Sequence, residues 1–166
     1  HDPDVLLPSY HPKGNVQHTA LEPFLNNLFH SIVSRKAQVH LVGYSVGGWL
    51  SAIFAERHPQ LVASALLLAP ALDHYERNFD GVPEEDRYMP PPYVAEVQRL
   101  PARPQIDTRL VPTAIVHGHE DTDRGGSAPW RVAEWTAGPW ARSDANGGRC
   151  AVYMPAGVDH SLEPWL

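Results

Sequence analysis

Gly43-Tyr44-Ser45-Val46-Gly47, with Gly48 next, sets a serine on a glycine-flanked step of the chain. Val39, Leu41 and Val42 precede it as a strand signal, and residues 46–57 follow with helical spacing. A serine on a tight strand-to-helix turn carries its hydroxyl out beyond the strand end. The first amides of the helix point at the same spot and favour developing negative charge. The glycines have an expected steric reason: the two backbones approach so closely that side chains at Gly43 and Gly47 would collide. A hydroxyl is a poor nucleophile until a base takes its proton, so a histidine and an orienting acid are required.

Two later segments supply them. Residues 112–118 read as a strand ending in Gly118, and Asp121 follows on the next loop. Open α/β sheets place their ligands past the C-terminal ends of strands, where this carboxylate falls. His160 stands on the loop after the last strand, in Gly157-Val158-Asp159-His160. Nearby carboxylates have plainer readings. Glu120 and Asp123 suit a solvated loop, and Asp159 caps its turn or faces water. His117 and His119 have an i, i+2 spacing that can bind metal, but no third ligand clusters with them, so no metal is expected. The four tryptophans from Trp130 onward either line an acyl pocket or pack in the core, and packing is the commoner use.

The elements that must position these residues follow from periodicity. Residues 5–7 form a short apolar run stopped by Pro8 and read as a strand. Leu21, Phe24, Leu25, Leu28, Ile32 and Val33 recur on one face of a helix of about four turns. Pro23 lies in its first turn, where proline is tolerated. Residues 39–43 are a strand. The helix after Ser45 buries Trp49, Leu50, Ile53 and Phe54. The unbroken run 62–69 suits a strand covered on both faces. Residues 113–116 and 151–153 complete the strands, with a helix over 129–136. Between 70 and 112 the texture shifts to acids, aromatics and prolines, which predicts a cap-like insertion at about 71–110 lying over the surface. The fold class is therefore α/β: a mostly parallel sheet of about five strands, flanked by helices on both faces, in a single domain over 1–166.

Composition narrows the function. The chain has 166 residues, enough for one domain with a real core. Its net charge of -6 argues against a nucleic-acid partner, which needs a basic face. No apolar run reaches the roughly 18 residues of a membrane span. The lone Cys150 excludes an internal disulfide framework and a cysteine-only zinc site.

With these residues in place, the sequence resembles the α/β-hydrolase family. The Gly-x-Ser-x-Gly elbow matches at 43–47, the strand-Gly-x-x-Asp motif at Gly118 and Asp121, and Gly-x-x-His at Gly157 and His160. The order Ser, Asp, His is the family's order. The resemblance implies Ser45 as nucleophile, His160 as general base and Asp121 as orienting acid. Some members carry their acid after the earlier strand, which leaves Asp73 as the rival, and Gly118 favours Asp121. It implies a cofactor-independent serine hydrolase acting on a small-molecule ester or amide, with the Val46 N–H as one oxyanion-hole donor. The second donor normally follows an earlier strand that lies centrally in the sheet, between the strands at 5–7 and 39–43. No such strand precedes Val5, and only six residues follow His160. The expectation is thus a truncated or minimal domain, a fragment of a longer chain. The alternative function is a non-catalytic hydrolase-like binding domain or an inactive fragment.

Overall fold

Helix α1, Leu21–Arg35, opens the part of the chain that the computed structural model describes, which is residues 21–72, 97–121, 129–137 and 147–163. Glu22 and Pro23 stand in the first turn of α1, where an acid complements the exposed amides and proline loses no bond. Leu21, Leu25 and Ile32 are buried, and Phe24 and Leu28 pack partly against the core. Val33, expected on the same face, is 44% exposed, because it lies at the margin of the apolar stripe. Strand β1 is Val39–Tyr44, and helix α2 is Val46–Arg57. A one-turn 3-10 helix, Pro59–Leu61, leads into β2, Val62–Leu68. Strand β3 is Thr113–Val116, helix α3 is Pro129–Ala137, and strand β4 is Cys150–Tyr153.

The four strands form one sheet in the order β1-β2-β3-β4, and every neighbouring pair is parallel. Gly43 pairs with Leu67, Leu67 with Ile115, and Ile115 with Val152, so these residues share a face. On that face Leu67 and Ile115 are fully buried, joining α2 and α3 in the core. Helix α2 is buried nearly all round, from Gly48 through Ala55 with Ser51 only half-buried, as expected of a helix held between layers. The opposite sheet face is more open, and Val42 on it is 68% exposed. No helix among the described residues is long and apolar enough to cross a membrane.

The described part of the insertion differs from its expected surface placement. Val97, Leu100, Ile106 and Val111 are buried in the same core as α2 and β2. Trp49 donates its indole N–H to the Pro101 carbonyl at 2.9 Å, and Trp135 does the same to Pro104 at 2.9 Å. The Gln105 amide donates to Glu56 of α2 at 2.8 Å. The two tryptophans, whose indole N–H groups need an acceptor when buried, thereby bind this segment to α2 and α3. Trp135 therefore packs as expected, whereas Trp130 is 60% exposed. The expected strand at 5–7, together with Asp73, Asp123, Trp140 and Trp165, lies outside the described residues.

Candidate active site

Ser45 joins β1 to α2 with φ 53° and ψ -119°, a region that non-glycine residues occupy at a cost. The surroundings hold it there. Its N–H donates to the Leu68 carbonyl at 2.8 Å. Its carbonyl accepts from the amides of Gly48, Trp49 and Ala71 at 3.0, 3.2 and 3.0 Å. A Cβ at Gly43 would fall on the Gly47 carbonyl oxygen and within 2.5 Å of Ser51 Oγ. The expected collision at Gly47 does not occur: among the described residues nothing lies within 4 Å of a Cβ there. The second close approach is at Gly48, whose Cβ would sit 3.0 Å from the Gly43 carbonyl oxygen and 3.1 Å from Pro70 Cα. It is the Gly47 carbonyl, not a Gly47 side chain, that needs the space. Val46 opens α2, so its N–H is among the four at a helix start that no intrahelical carbonyl takes.

The loop after β3 and the loop after β4 are zipped together. The amides of His117, His119 and Glu120 donate to the carbonyls of Tyr153, Pro155 and Val158 at 2.9, 3.1 and 2.9 Å. A side chain at Gly118 would strike the carbonyl oxygens of Val158 and Asp159. This contact sets Asp121 beside His160, 39 residues later in the chain. Asp121 is fully buried, and its Oδ2 lies 2.8 Å from His160 Nδ1. His160 Nε2 lies 2.9 Å from Ser45 Oγ. A carboxylate only accepts, so Nδ1 carries the proton and donates to Asp121, and the Ser45 hydroxyl donates to Nε2. The structure thus brings Ser45, His160 and Asp121 into one hydrogen-bonded chain.

Other candidates fall apart. His119 is largely exposed beside Glu120, whereas His117 is fully buried with Nε2 3.5 Å from Asp121 Oδ2. The two side chains part, and no group of three His, Cys, Asp or Glu among the described residues could hold a metal ion. Asp159 does cap its turn: it accepts from the Ser161 amide at 2.9 Å and hydroxyl at 2.6 Å, and the Ser161 hydroxyl holds its carboxyl below the usual range. Two further residues touch this set with no signal for it in the sequence. His117 is the buried neighbour of Asp121. The Tyr44 hydroxyl donates to the His160 carbonyl at 2.9 Å.

A sequence profile described as the alpha/beta hydrolase fold matches residues 34–113, which carry β1, the serine turn, α2 and β2. This chain has the α/β-hydrolase fold. Est1E from Butyrivibrio proteoclasticus, solved with ferulic acid bound, is similar at TM-score 0.64 and 16% identity, covering 87% of this chain and 62% of that one. The monoacylglycerol lipase of Paleococcus ferrophilus is similar at TM-score 0.59 and 17% identity, covering 89% of this chain and 69% of that one. A prolyl endopeptidase is similar at TM-score 0.64 and 15% identity, with 88% of this chain and 23% of that one covered. This chain thus spans about three fifths of the length of Est1E. No curated protein sequence matches it.

Proposed function

We propose that this α/β-hydrolase chain is a cofactor-independent serine hydrolase that cleaves an ester or amide bond in a small-molecule substrate. One observation carries the reading: the hydrogen-bond chain Ser45 Oγ to His160 Nε2, and His160 Nδ1 to Asp121 Oδ2. Ser45 Oγ attacks the carbonyl carbon as His160 Nε2 takes its proton. Asp121 fixes the ring orientation and stabilises the imidazolium. The tetrahedral oxyanion is stabilised by the Val46 N–H at the head of α2. The intermediate collapses as His160 protonates the leaving alcohol or amine, and an acyl-Ser45 ester remains. Water, deprotonated by His160, then releases the acid.

The fold neighbours include a protein solved with ferulic acid, a monoacylglycerol lipase and a prolyl endopeptidase, which supports acyl transfer without choosing between ester and amide. The alternative, a binding domain without turnover, draws on one feature. The second oxyanion donor implied by the family belongs to a loop on the far side of β1, and among the described residues β1 is the sheet edge. Loss of one such donor costs about a hundred- to a thousand-fold in turnover. Fluorophosphonate labelling with peptide mapping separates the two. Adduct on Ser45, abolished in His160→Ala, is expected. No adduct on folded protein overturns the enzyme reading.

A further inference from the structure

We infer that Tyr44 is a positioning residue that ties the base loop to the nucleophile, so that one short stretch of backbone sets both. The inference rests on the proposed function for its kinetic meaning, but not for its geometry. His160 lies in a tight turn whose hydrogen bonds are mostly internal. Asp159 accepts from Ser161, and the Leu162 amide donates to the Asp159 carbonyl at 3.3 Å, with Leu162 at φ 58°. Such bonds shape the turn but do not locate it against Ser45. Location needs contacts outside the turn.

Beside the Gly118 contact and the bond to Asp121, which tie the turn to the loop after β3, the structure gives it two further contacts of different kinds on the side of Ser45. Leu162 is buried with Ala69 and Val158, an apolar plug that resists withdrawal but tolerates sliding and rotation. The Tyr44 hydroxyl donates to the His160 carbonyl at 2.9 Å, a directional bond across 116 residues of sequence. The Tyr44 ring also packs on the imidazole, centroids 5.4 Å apart and tilted by 39°. Tyr44 precedes Ser45 directly, so their Cα atoms are separated by one peptide unit, about 3.8 Å. The Ser45 backbone is itself pinned to Leu68 and Ala71. Moving the histidine backbone therefore means breaking a bond to the residue next to the nucleophile. Misplacement of a reacting group by about 1 Å is enough to cost a hundredfold in rate. Tyr44 is 44% exposed, so core packing does not demand the ring; a ring with a terminal donor is what this tether requires.

The test uses Tyr44→Phe, which keeps the ring and removes only the donor. Two readouts are taken on the same samples: fluorophosphonate labelling of Ser45, resolved into a maximal rate and a half-saturation concentration, and amide hydrogen exchange across residues 158–163. The expected result is a maximal labelling rate lower by about tenfold, an unchanged half-saturation concentration, faster exchange across 158–163, and an unchanged melting temperature. Tyr44→Leu, which also removes the ring, is expected to lose more. A Tyr44→Phe protein with wild-type labelling and wild-type exchange overturns the inference. If wild type itself does not label, the hydrolase reading fails, and exchange alone decides the tether: faster exchange in Tyr44→Phe supports it, and unchanged exchange overturns it.

Discussion

A methyl group added at Gly43 would fall on the Gly47 carbonyl oxygen, whereas one added at Gly47 would meet nothing within 4 Å among the described residues. The two glycines of one motif therefore carry different demands. Gly43 lets the strand pass under the first turn of α2, and that approach is what holds Ser45 at its positive φ. Gly43→Ala is expected to destabilise the fold by about 1–3 kcal/mol or more, the cost of forcing atoms into a packed site. Gly47→Ala is expected to be neutral, or stabilising by up to about 1 kcal/mol, since alanine is the better helix former. Urea unfolding of both variants checks the contrast. Equal losses would mean that the elbow needs flexibility at both glycines rather than space at one.

Loops carry Asp121 and His160, and pairs of elements hold those loops in place. The contact between the loops after β3 and β4 passes through Gly118, which has carbonyl oxygens of Val158 and Asp159 where a side chain would stand. Gly118→Ala must push the two loops apart, and with them Asp121 from His160. The expected result is labelling of Ser45 slower by about a hundredfold, with a stability loss of only about 1–3 kcal/mol. Labelling within twofold of wild type would place the coupling elsewhere. A second pairing joins α1 to the end of α2. Arg57 donates both guanidinium arms to Glu22 at 2.9 Å, and His58 packs between Phe29 and Phe54, with centroids 4.6 and 4.9 Å away. Burial, and then the Arg57 charge, lowers the His58 pKa below its ordinary 6.5. The fold thus prefers the neutral ring, and the unfolded chain binds more protons. This contribution is present above pH 6.5 and is lost as pH falls through the lowered folded value. The urea midpoint is expected to drop between pH 7 and 5, and His58→Phe should remove part of that drop. An identical pH dependence in wild type and variant would show that His58 titrates normally in the fold.

Across the whole molecule, the legible features were those with a period or a motif. Helix α2 has the bounds that the periodicity predicts, and so does β3 on its narrower reading, 113–116, the strand stopping two residues short of Gly118; the other described strands and α3 begin or end within one residue of theirs. The hydrogen-bonded set Ser45, Asp121 and His160 is legible because each residue follows a strand whose end is marked by glycine or a short apolar run. Tyr44 was not legible, because its partner is a backbone carbonyl 116 residues away that has no residue-type signature. The burial of segment 97–111 is not legible for a related reason. Val97, Leu100, Ile106 and Val111 have neither a helical nor a strand period, and prolines and charges between them give a surface texture. Their burial comes from tertiary contacts, above all the two tryptophan bonds to Pro101 and Pro104. The distinction has an energetic consequence that a single variant exposes. A surface insertion would let Ile106 change to alanine within about 0.5 kcal/mol. Burial beside Trp135 and α2 instead predicts a loss of about 2–5 kcal/mol for Ile106→Ala, the cost of lost transfer plus the cavity left behind. Against the roughly 5–15 kcal/mol that holds a domain folded, that is a large share. Denaturant unfolding decides between them. A large loss makes this wall part of the core; a negligible one returns it to the surface.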